Sequence, residues 1–350
     1  MPGAERTLTE AELNRAVLAR QLLLERRSLS LPKALERVGG IQAQYAPAMY
    51  VGLWSRVEGL EREALTRALE RRKVVQGTLL RGTIHLVSPA DWWTFSTAVR
   101  EPRRESWLRG HKHEPSAKTM AAAARRLRSR LADEPIARAE LQEEIGAGPQ
   151  GMNGINMWLD LVRTPPSGTW DRRRADLFYL AEAWIGPDPA LALAAARADV
   201  VRSYLRAFGP SSVAEIASWA GLGLRMVSAA LADLELRRFR AEDGEELVDL
   251  PRQPLPDPDT PAPVRFLPTW DASLLVHARR AQLLPEEHRS KVFNPRTPHS
   301  VATFLVDGRV AGAWREEKGK VKLEPFGRLT KTARRQVEAE SQRLADFVAA

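Results

Sequence analysis

The chain has 350 residues, 53 Lys+Arg against 44 Asp+Glu, a net charge of +9 and no cysteine. That length suits two or three compact units, and the ordinary apolar and charged fractions exclude wholesale disorder. The missing cysteine excludes disulfides, thiolate zinc sites, iron–sulfur clusters and a thiol nucleophile, and the basic excess favours a polyanionic partner, because each neutralised phosphate releases counterions.

MPGAERTLTE at the N-terminus lacks the apolar stretch of a secretory signal, and no run of about 18 uncharged apolar residues follows. A soluble, cytoplasmic protein without membrane contact is therefore expected. Thr9-Glu10-Ala11-Glu12 is a capping-box pattern and opens a first helix carrying Leu13, Val17, Leu18 and Leu22. Ser30 before Leu31-Pro32 opens a second, read as running towards Gln44. A third spans about Glu61 to Arg72, and Val74 to Val87, rich in β-branched residues and punctuated by glycine, reads as strands with a tight turn.

Three helices and then a hairpin is the order of a winged helix, and that order recurs. Helices near 118–132, 137–145 and 153–163 precede Gly168-Thr169-Trp170 and the strand-like Leu177 to Leu180. Helices near 193–207, 212–220 and 223–235 precede Arg238-Phe239-Arg240 and Glu246-Leu247-Val248, with a capping box at Ser212 and Glu215. Pro251 to Pro263 forms a Pro/Asp linker. Beyond it, strands are expected at 264–267, 301–306 and 309–314, the last two joined at Asp307-Gly308, with a final helix from Thr330. The expectation is an α+β, mainly α, protein of three tandem winged-helix units, at 1–90, 91–186 and 187–250. A β-rich region and a C-terminal helix follow at 251–350.

Standard catalytic signatures are absent: there is no GxGxxG, P-loop, HExxH or GxSxG. His111-Lys112-His113 reads as a solvated loop rather than a metal site, and His85, between Ile84 and Leu86, reads as structural. Basic residues are more suggestive. Arg100, Arg103, Arg104 and Arg109 lie near Trp107, and Arg125, Arg126, Arg128 and Arg130 stud one helix. Arg172, Arg173 and Arg174 sit at the tip of the second wing, where they can reach phosphates or a minor groove. Each cluster alone is equally at home as a solvated charged face.

The segment Gly39-Gly40-Ile41-Gln42-Ala43-Gln44-Tyr45 continues to Tyr50-Val51-Gly52-Leu53-Trp54-Ser55-Arg56. By itself it offers two surface amides at a helix end followed by a Pro-containing aromatic stretch. Its Gln42-Ala43-Gln44, however, resembles the catalytic motif of the AlkZ-like winged-helix DNA glycosylases, in which a small or apolar residue separates two glutamines. Leu80 to Val87, Ala207-Phe208-Gly209-Pro210 with Trp219, and Leu305 to Arg315 resemble the same family.

The resemblance implies three winged helices and a β-rich C-terminal part wrapped as a C around double-stranded DNA. It also implies hydrolysis of the N-glycosidic bond of N7-alkylated purines, including interstrand crosslinks, in base-excision repair. Gln42 and Gln44 are then the catalytic candidates. Arg56, Arg81, Arg172, Arg173 and Arg174 are the candidate DNA contacts, together with Arg296 and His299 at the tip of a minor-groove probe. No cofactor and no metal are expected, and the chain is expected to act as a monomer. Glutamine is a poor base near neutral pH, but an N7-alkylpurine already carries positive charge and can leave without an acid. Amide oxygens then need only hold a water and face the developing sugar cation. No lysine is obviously placed for Schiff-base chemistry, so a monofunctional enzyme is expected. A paralogue specialised in self-protection against a DNA-alkylating natural product remains within this reading. The alternative is a non-catalytic winged-helix DNA-binding protein such as a transcriptional regulator.

Overall fold

A computed structural model describes residues 4–111, 115–275, 281–293 and 300–350. The first stretch runs β1 (Thr7–Leu8), α1 (Glu10–Arg20), α2 (Leu31–Val38), β2 (Ile41–Gln42), α3 (Ala46–Trp54), α4 (Arg62–Glu70), β3 (Val75–Thr78) and β4 (Ile84–Val87). The Thr9 capping box forms as read, with Thr9 and Glu12 bonding reciprocally. The second helix stops at Val38 rather than continuing towards Gln44. Gly39 and Gly40 both take left-handed backbone, with φ of +77° and +79°, and the chain turns there into β2. Helix α3 was not expected from the sequence.

Next come α5 (Pro89–Gly110), α6 (Ala117–Asp133), β5 (Ile136–Ala137), α7 (Arg138–Ile145), α8 (Gly148–Gly154), β6 (Leu161–Arg163), β7 (Leu177–Leu180) and α9 (Ala181–Ile185). The helix expected over 153–163 is instead the end of α8, a short 3-10 turn and β6. Helix α5 also escaped the sequence reading. It is capped by Ser88, and its Trp92, Phe95 and Val99 are buried. Gly77 of β3 leaves room for that packing, since a Cβ there would fall 2.2 Å from the Trp92 ring.

The helices α10 (Leu193–Phe208), α11 (Val213–Ala220) and α12 (Leu224–Ala232) lead into β8 (Arg237–Ala241) and β9 (Glu246–Asp249), as the sequence suggested. The C-terminal part holds β10 (Arg265–Leu267), α13 (Ala272–Leu275), α14 (Arg289–Val292), β11 (Thr303–Val306), β12 (Arg309–Glu317), β13 (Lys320–Pro325) and α15 (Lys331–Ala349). Asp307-Gly308 joins β11 to β12, and Thr330 caps α15. Strand β13 is an addition to the expected set.

Three sheets organise these elements: β1-β8-β9, β10-β11-β12-β13, and a six-stranded sheet ordered β2-β4-β3-β6-β7-β5. The last matters for the site, because Gln76–Gly77 of β3 pairs antiparallel with Val162–Arg163 of β6, fusing the hairpin of residues 75–87 to strands from 136–180. One apolar core joins α1, α5, α10, α11 and α12, and a second joins α2, α3, α4, β10, β11 and α15. A third lies among α6, α7, β6 and β7.

Ion pairs clamp these layers from inside. Arg20 of α1 bonds both Asp249 oxygens at 2.7 Å and the Leu205 carbonyl at 2.9 Å, with both side chains 0 % exposed. Among the described residues, no helix is long and apolar enough to cross a membrane.

Candidate active site

The two-glutamine motif sits where α2, the double-glycine turn and β4 meet. The turn depends on both glycines. At Gly40 an added Cβ would lie 2.9 Å from Val87, and at Gly39 one would lie 3.3 Å from both Ala207 and Trp219. Beyond the turn, Ile41 pairs with Leu86 and Gln42 with His85. Ala43 then donates its backbone N–H to the Ile84 carbonyl at 2.7 Å. Gln44 continues the pairing with its side chain, its Oε1 accepting the Ile84 N–H at 2.7 Å. The motif therefore lies in and just after a strand, not at a helix end. Gln42 is 4 % exposed, whereas Gln44 is exposed.

Gln42 is held from the other side by Arg81, whose Nη2 donates to Gln42 Oε1 at 3.2 Å. The same guanidinium donates through Nη1 to the Trp219 carbonyl and lies 3.4 Å from His85 Nε2. Arg81 itself takes left-handed backbone, with φ of 55°. Burial pushes its pKa down to about 10, which leaves it charged at neutral pH. Beside this cation, His85 Nε2 serves as an acceptor, so Nδ1 carries the proton and donates to the Thr83 carbonyl at 3.0 Å. Burial, reinforced by the Arg81 charge, pushes the imidazole down to about 3. His85 is thus a neutral bracket for Arg81, in keeping with the structural role read from the sequence. Each glutamine oxygen accepts one bond and retains a second lone pair for a water.

The arginine loop between β6 and β7 approaches the motif. Ser167 is its hub: its hydroxyl donates to the Arg174 carbonyl at 2.7 Å and accepts from the Asp176 N–H at 2.6 Å. Gln76 of β3 donates to the Gly168 carbonyl at 2.7 Å, tying the loop to the sheet that carries the motif. Arg172, Arg173 and Arg174 are all exposed. Arg172 pairs with Asp176 at 3.2 Å, and Arg173 donates to the Tyr45 hydroxyl at 2.7 Å. Tyr45 directly follows Gln44, so the loop and the motif touch through this bond.

The expected DNA contacts divide sharply. Arg56 is corrected: its side chain is 2 % exposed and pairs with Asp271 through contacts of 3.0 and 3.1 Å, with a further bond to the Gly52 carbonyl at 2.9 Å. A guanidinium enclosed in this way has no surface to offer a phosphate. Arg81 is half-buried and faces Gln42 rather than solvent. Arg296 and His299 lie outside the described residues, as do Lys112 and His113 of the histidine-containing loop.

The other basic clusters are mostly engaged within the protein. Arg103 donates to the Thr78 carbonyl at 2.9 Å and Arg104 to the Met157 carbonyl at 2.6 Å, while Arg100 pairs with Asp160 at 2.8 Å. On α6, Arg128 pairs with Glu182 and Arg130 with Glu140 and Glu144. The sequence reading did not place Tyr45 and Trp170 in contact with the arginine loop and Tyr50, as they are found. Tyr45 was within reach, since it adjoins the motif. Trp170 joins the site only through tertiary contacts, its N–H donating to the Tyr50 hydroxyl at 3.2 Å.

A family model described as DNA glycosylase AlkZ-like matches residues 35–347. The chain is 22 % identical over 369 residues to a Streptomyces sahachiroi protein named interstrand DNA cross-link repair glycosylase, covering 94 % of this chain and 93 % of that one. Its fold matches the solved structure of Streptomyces sahachiroi DNA glycosylase AlkZ with a TM-score of 0.82, at 19 % identity over 98 % of each chain. With the family model spanning most of its length, this chain belongs to the AlkZ-like DNA glycosylase family.

Proposed function

We propose that this protein is a monofunctional glycosylase that hydrolyses the N-glycosidic bond of N7-alkylated purines in duplex DNA, as a step of base-excision repair. The observation that carries the reading is the pair of fixed amide oxygens. Gln42 Oε1 is held by Arg81 and Gln44 Oε1 by the Ile84 N–H, one residue apart on the segment that touches the arginine loop. Rigid acceptors placed before the reaction begins cost no reorganisation when charge develops.

In the proposed reaction the C1′–N9 bond breaks and its electron pair passes into the cationic purine, which departs neutral. The amide oxygens face the positive charge growing on the sugar and accept from a water. That water adds its oxygen to C1′ and releases a proton to solvent, leaving an abasic site. The exposed Gln44 meets water and sugar first, and Gln42 lies deeper with its amide orientation set by Arg81. No step calls on an acid, in keeping with a motif of neutral amides.

The proposal includes the wider architecture read from the sequence: three tandem winged-helix units, acting as a monomer and curving around the duplex. The recurring order of helices and hairpins supports it. Unhooking of interstrand crosslinks is proposed on the printed name of the Streptomyces relative.

The test is base release from a duplex holding one N7-methylguanine, comparing wild type with Gln42→Ala and Gln44→Ala. Time-dependent release by wild type, reduced by roughly 100-fold or more in a variant that still binds DNA, is the expected result. Tight binding to one undamaged sequence without release would instead point to a regulator. Uracil excision at a comparable rate would contradict the cationic-leaving-group chemistry, and a borohydride-trapped covalent complex would contradict the monofunctional assignment.

A further inference from the structure

Thr78 closes β3 and Ile84 opens β4 directly opposite it, so the two flank the turn that carries Arg81. Facing residues of an antiparallel ladder alternate between bonding each other and bonding outward. Ile84 bonds outward, its N–H and its carbonyl holding Gln44 and Ala43, each at 2.7 Å. On the far side of the pair, the register of β3 with β6 ends at Gly77 and Val162. The Thr78 carbonyl is taken instead by Arg103 of α5, whose Nη1 donates to it at 2.9 Å. The Thr78 hydroxyl accepts from Nη1 of Arg163, on β6, also at 2.9 Å. Two guanidinium groups thus grip Thr78, back to back with the two bonds that hold the motif.

Both cations are buried, each 7 % exposed. Burial pushes Arg103 down to about 10, and burial with the Arg138 charge pushes Arg163 down to about 9, so both stay charged at neutral pH. Asp160, the carboxylate that acts on Arg103, is bonded to Ser96 and Arg100 instead. Among the described residues, Nε and Nη2 of Arg103 are buried without a hydrogen-bond partner. A guanidinium taken out of water in this way is costly, so stability alone does not account for the arrangement. What it supplies is two charge-assisted bonds on the one residue that faces Ile84. Arg163 has little freedom of its own, with its Nε donating to the Ala175 carbonyl at 3.2 Å and the Phe178 ring centre 5.0 Å away.

We propose that Arg103 and Arg163 are positioning residues for Gln44: by fixing Thr78 they fix Ile84, and with it the N–H that aims the Gln44 amide oxygen. Arg81 does the same for Gln42 from within the turn, so each glutamine is set by arginine from the protein interior. The assignment rests on the glycosylase reading above for the use made of Gln44, though not for the geometry.

Two variants and two measurements test it. Thr78→Val keeps the shape of the side chain and removes the hydroxyl that Arg163 holds, and Arg103→Met removes the charged donor to the carbonyl. The first measurement is amide hydrogen exchange at Ile84, followed by NMR, which needs no substrate. Exchange there should quicken about tenfold in each variant, while the amides of α10 keep their wild-type rates. The second is single-turnover release of N7-methylguanine at saturating protein. It should slow by about tenfold, inside the ~100-fold that a misplacement of ~1 Å can cost, with little change in the Kd for DNA. Thr78→Ser, which keeps the hydroxyl, should recover most of the rate lost in Thr78→Val. Wild-type exchange at Ile84 in both variants overturns the assignment. So does a rate loss accompanied by faster exchange throughout the core, since general loosening then explains it. Faster exchange confined to Ile84, in a protein whose wild type releases no base, would sink the glycosylase reading and leave the positioning standing. Release by wild type at a rate that both variants match would keep the glycosylase and overturn the positioning.

Discussion

The motif turn at residues 39–45 and the arginine loop between β6 and β7 touch through the bond from Arg173 to Tyr45, yet they are built on opposite principles. The turn is bracketed from several sides: by two left-handed glycines, a strand pair to β4, and Arg81 spanning Gln42, Trp219 and His85. In the loop the backbone is fixed through Ser167 and Gln76, while the three arginine side chains are exposed and held by at most single polar contacts, Arg172 to Asp176 and Arg173 to Tyr45. Arginine serves both regions. Inside, it is a rigid fork satisfying fixed acceptors; outside, it is a charge available to a partner. Substitutions in the two regions should therefore fail differently, in stability and rate on one side and in affinity on the other.

The largest effect is expected for the most enclosed arginine. Asp271→Ala leaves Arg56 as an uncompensated charge among groups about 2–3 % exposed. Breaking such a pair typically costs about 3–5 kcal/mol. Arg173→Ala, on the exposed loop, should stay within about 0.5 kcal/mol of wild type. Urea unfolding of both variants checks the contrast. A destabilisation below about 1 kcal/mol in Asp271→Ala would mean that water reaches Arg56 and that the interior–exterior division is wrong.

The next effect falls at Arg81. Arg81→Met keeps the bulk of the side chain but removes the charged donor to Gln42 Oε1. A hydrogen bond of this kind contributes about 1.5–3 kcal/mol, which corresponds to a loss of roughly 10- to 100-fold in the single-turnover rate. Because Arg81 acts through Gln42, DNA affinity should change little, and Arg81→Lys should restore only part of the rate. A purely structural role would lower the melting temperature without lowering the rate of the protein that remains folded.

His85 offers a pH signature for the same turn. Its folded pKa, pushed to about 3, lies below the ordinary value of 6.5. Below pH 6.5 the unfolded chain gains a proton at this residue that the folded protein does not. Stability from neutral His85 is therefore fully present above about pH 6.5 and is lost progressively as pH falls towards 3. At pH 5 the loss is about 2 kcal/mol. His85→Asn should unfold with a shallower dependence on pH between 7 and 5 than wild type, by about that amount. Parallel curves for the two proteins would show that the imidazole takes up its proton as readily in the folded state as in the unfolded one.

How far these features could be read from the sequence follows from the same contrast. Elements with local signals were legible: the Thr9 capping box, the glycine-punctuated strands β3 and β4, the Asp307-Gly308 turn and the cap at Thr330. Helix α3 was not, because all nine of its residues are buried and no polar face marks the helical period. Helix α5 hid behind Pro102 and a mixed run of charges, and β13 behind alternating lysines and a glutamate at its exposed edge. At the site, the residues of the glutamine motif were visible but their setting was not. Gln42 and Gln44 read as a helix end because the two glycines that turn α2 into β2 act through backbone angles. Arg56 and Arg172 look alike in sequence, and only the partner Asp271, 215 positions away, separates a buried fork from a surface charge.

The smallest expected effect belongs to the loop itself. Replacing Arg172, Arg173 and Arg174 together by alanine removes three exposed charges, while Ser167 and Gln76 still hold the backbone. If these arginines meet phosphates, each lost contact should lower the slope of log Kd against log salt by about 0.9, so the triple variant should lose at most roughly 2.7. The affinity penalty should be clear at low salt and fade as salt rises, because counterion release is the term removed. The single-turnover rate at saturating protein should fall less than it does in Arg81→Met. Arg172 is the weakest of the three, since its pairing with Asp176 at 3.2 Å already offsets part of its charge. An unchanged salt slope with a lowered rate would place these arginines with the motif, and the division between a rigid interior and a charged exterior would fail at the bond joining Arg173 to Tyr45.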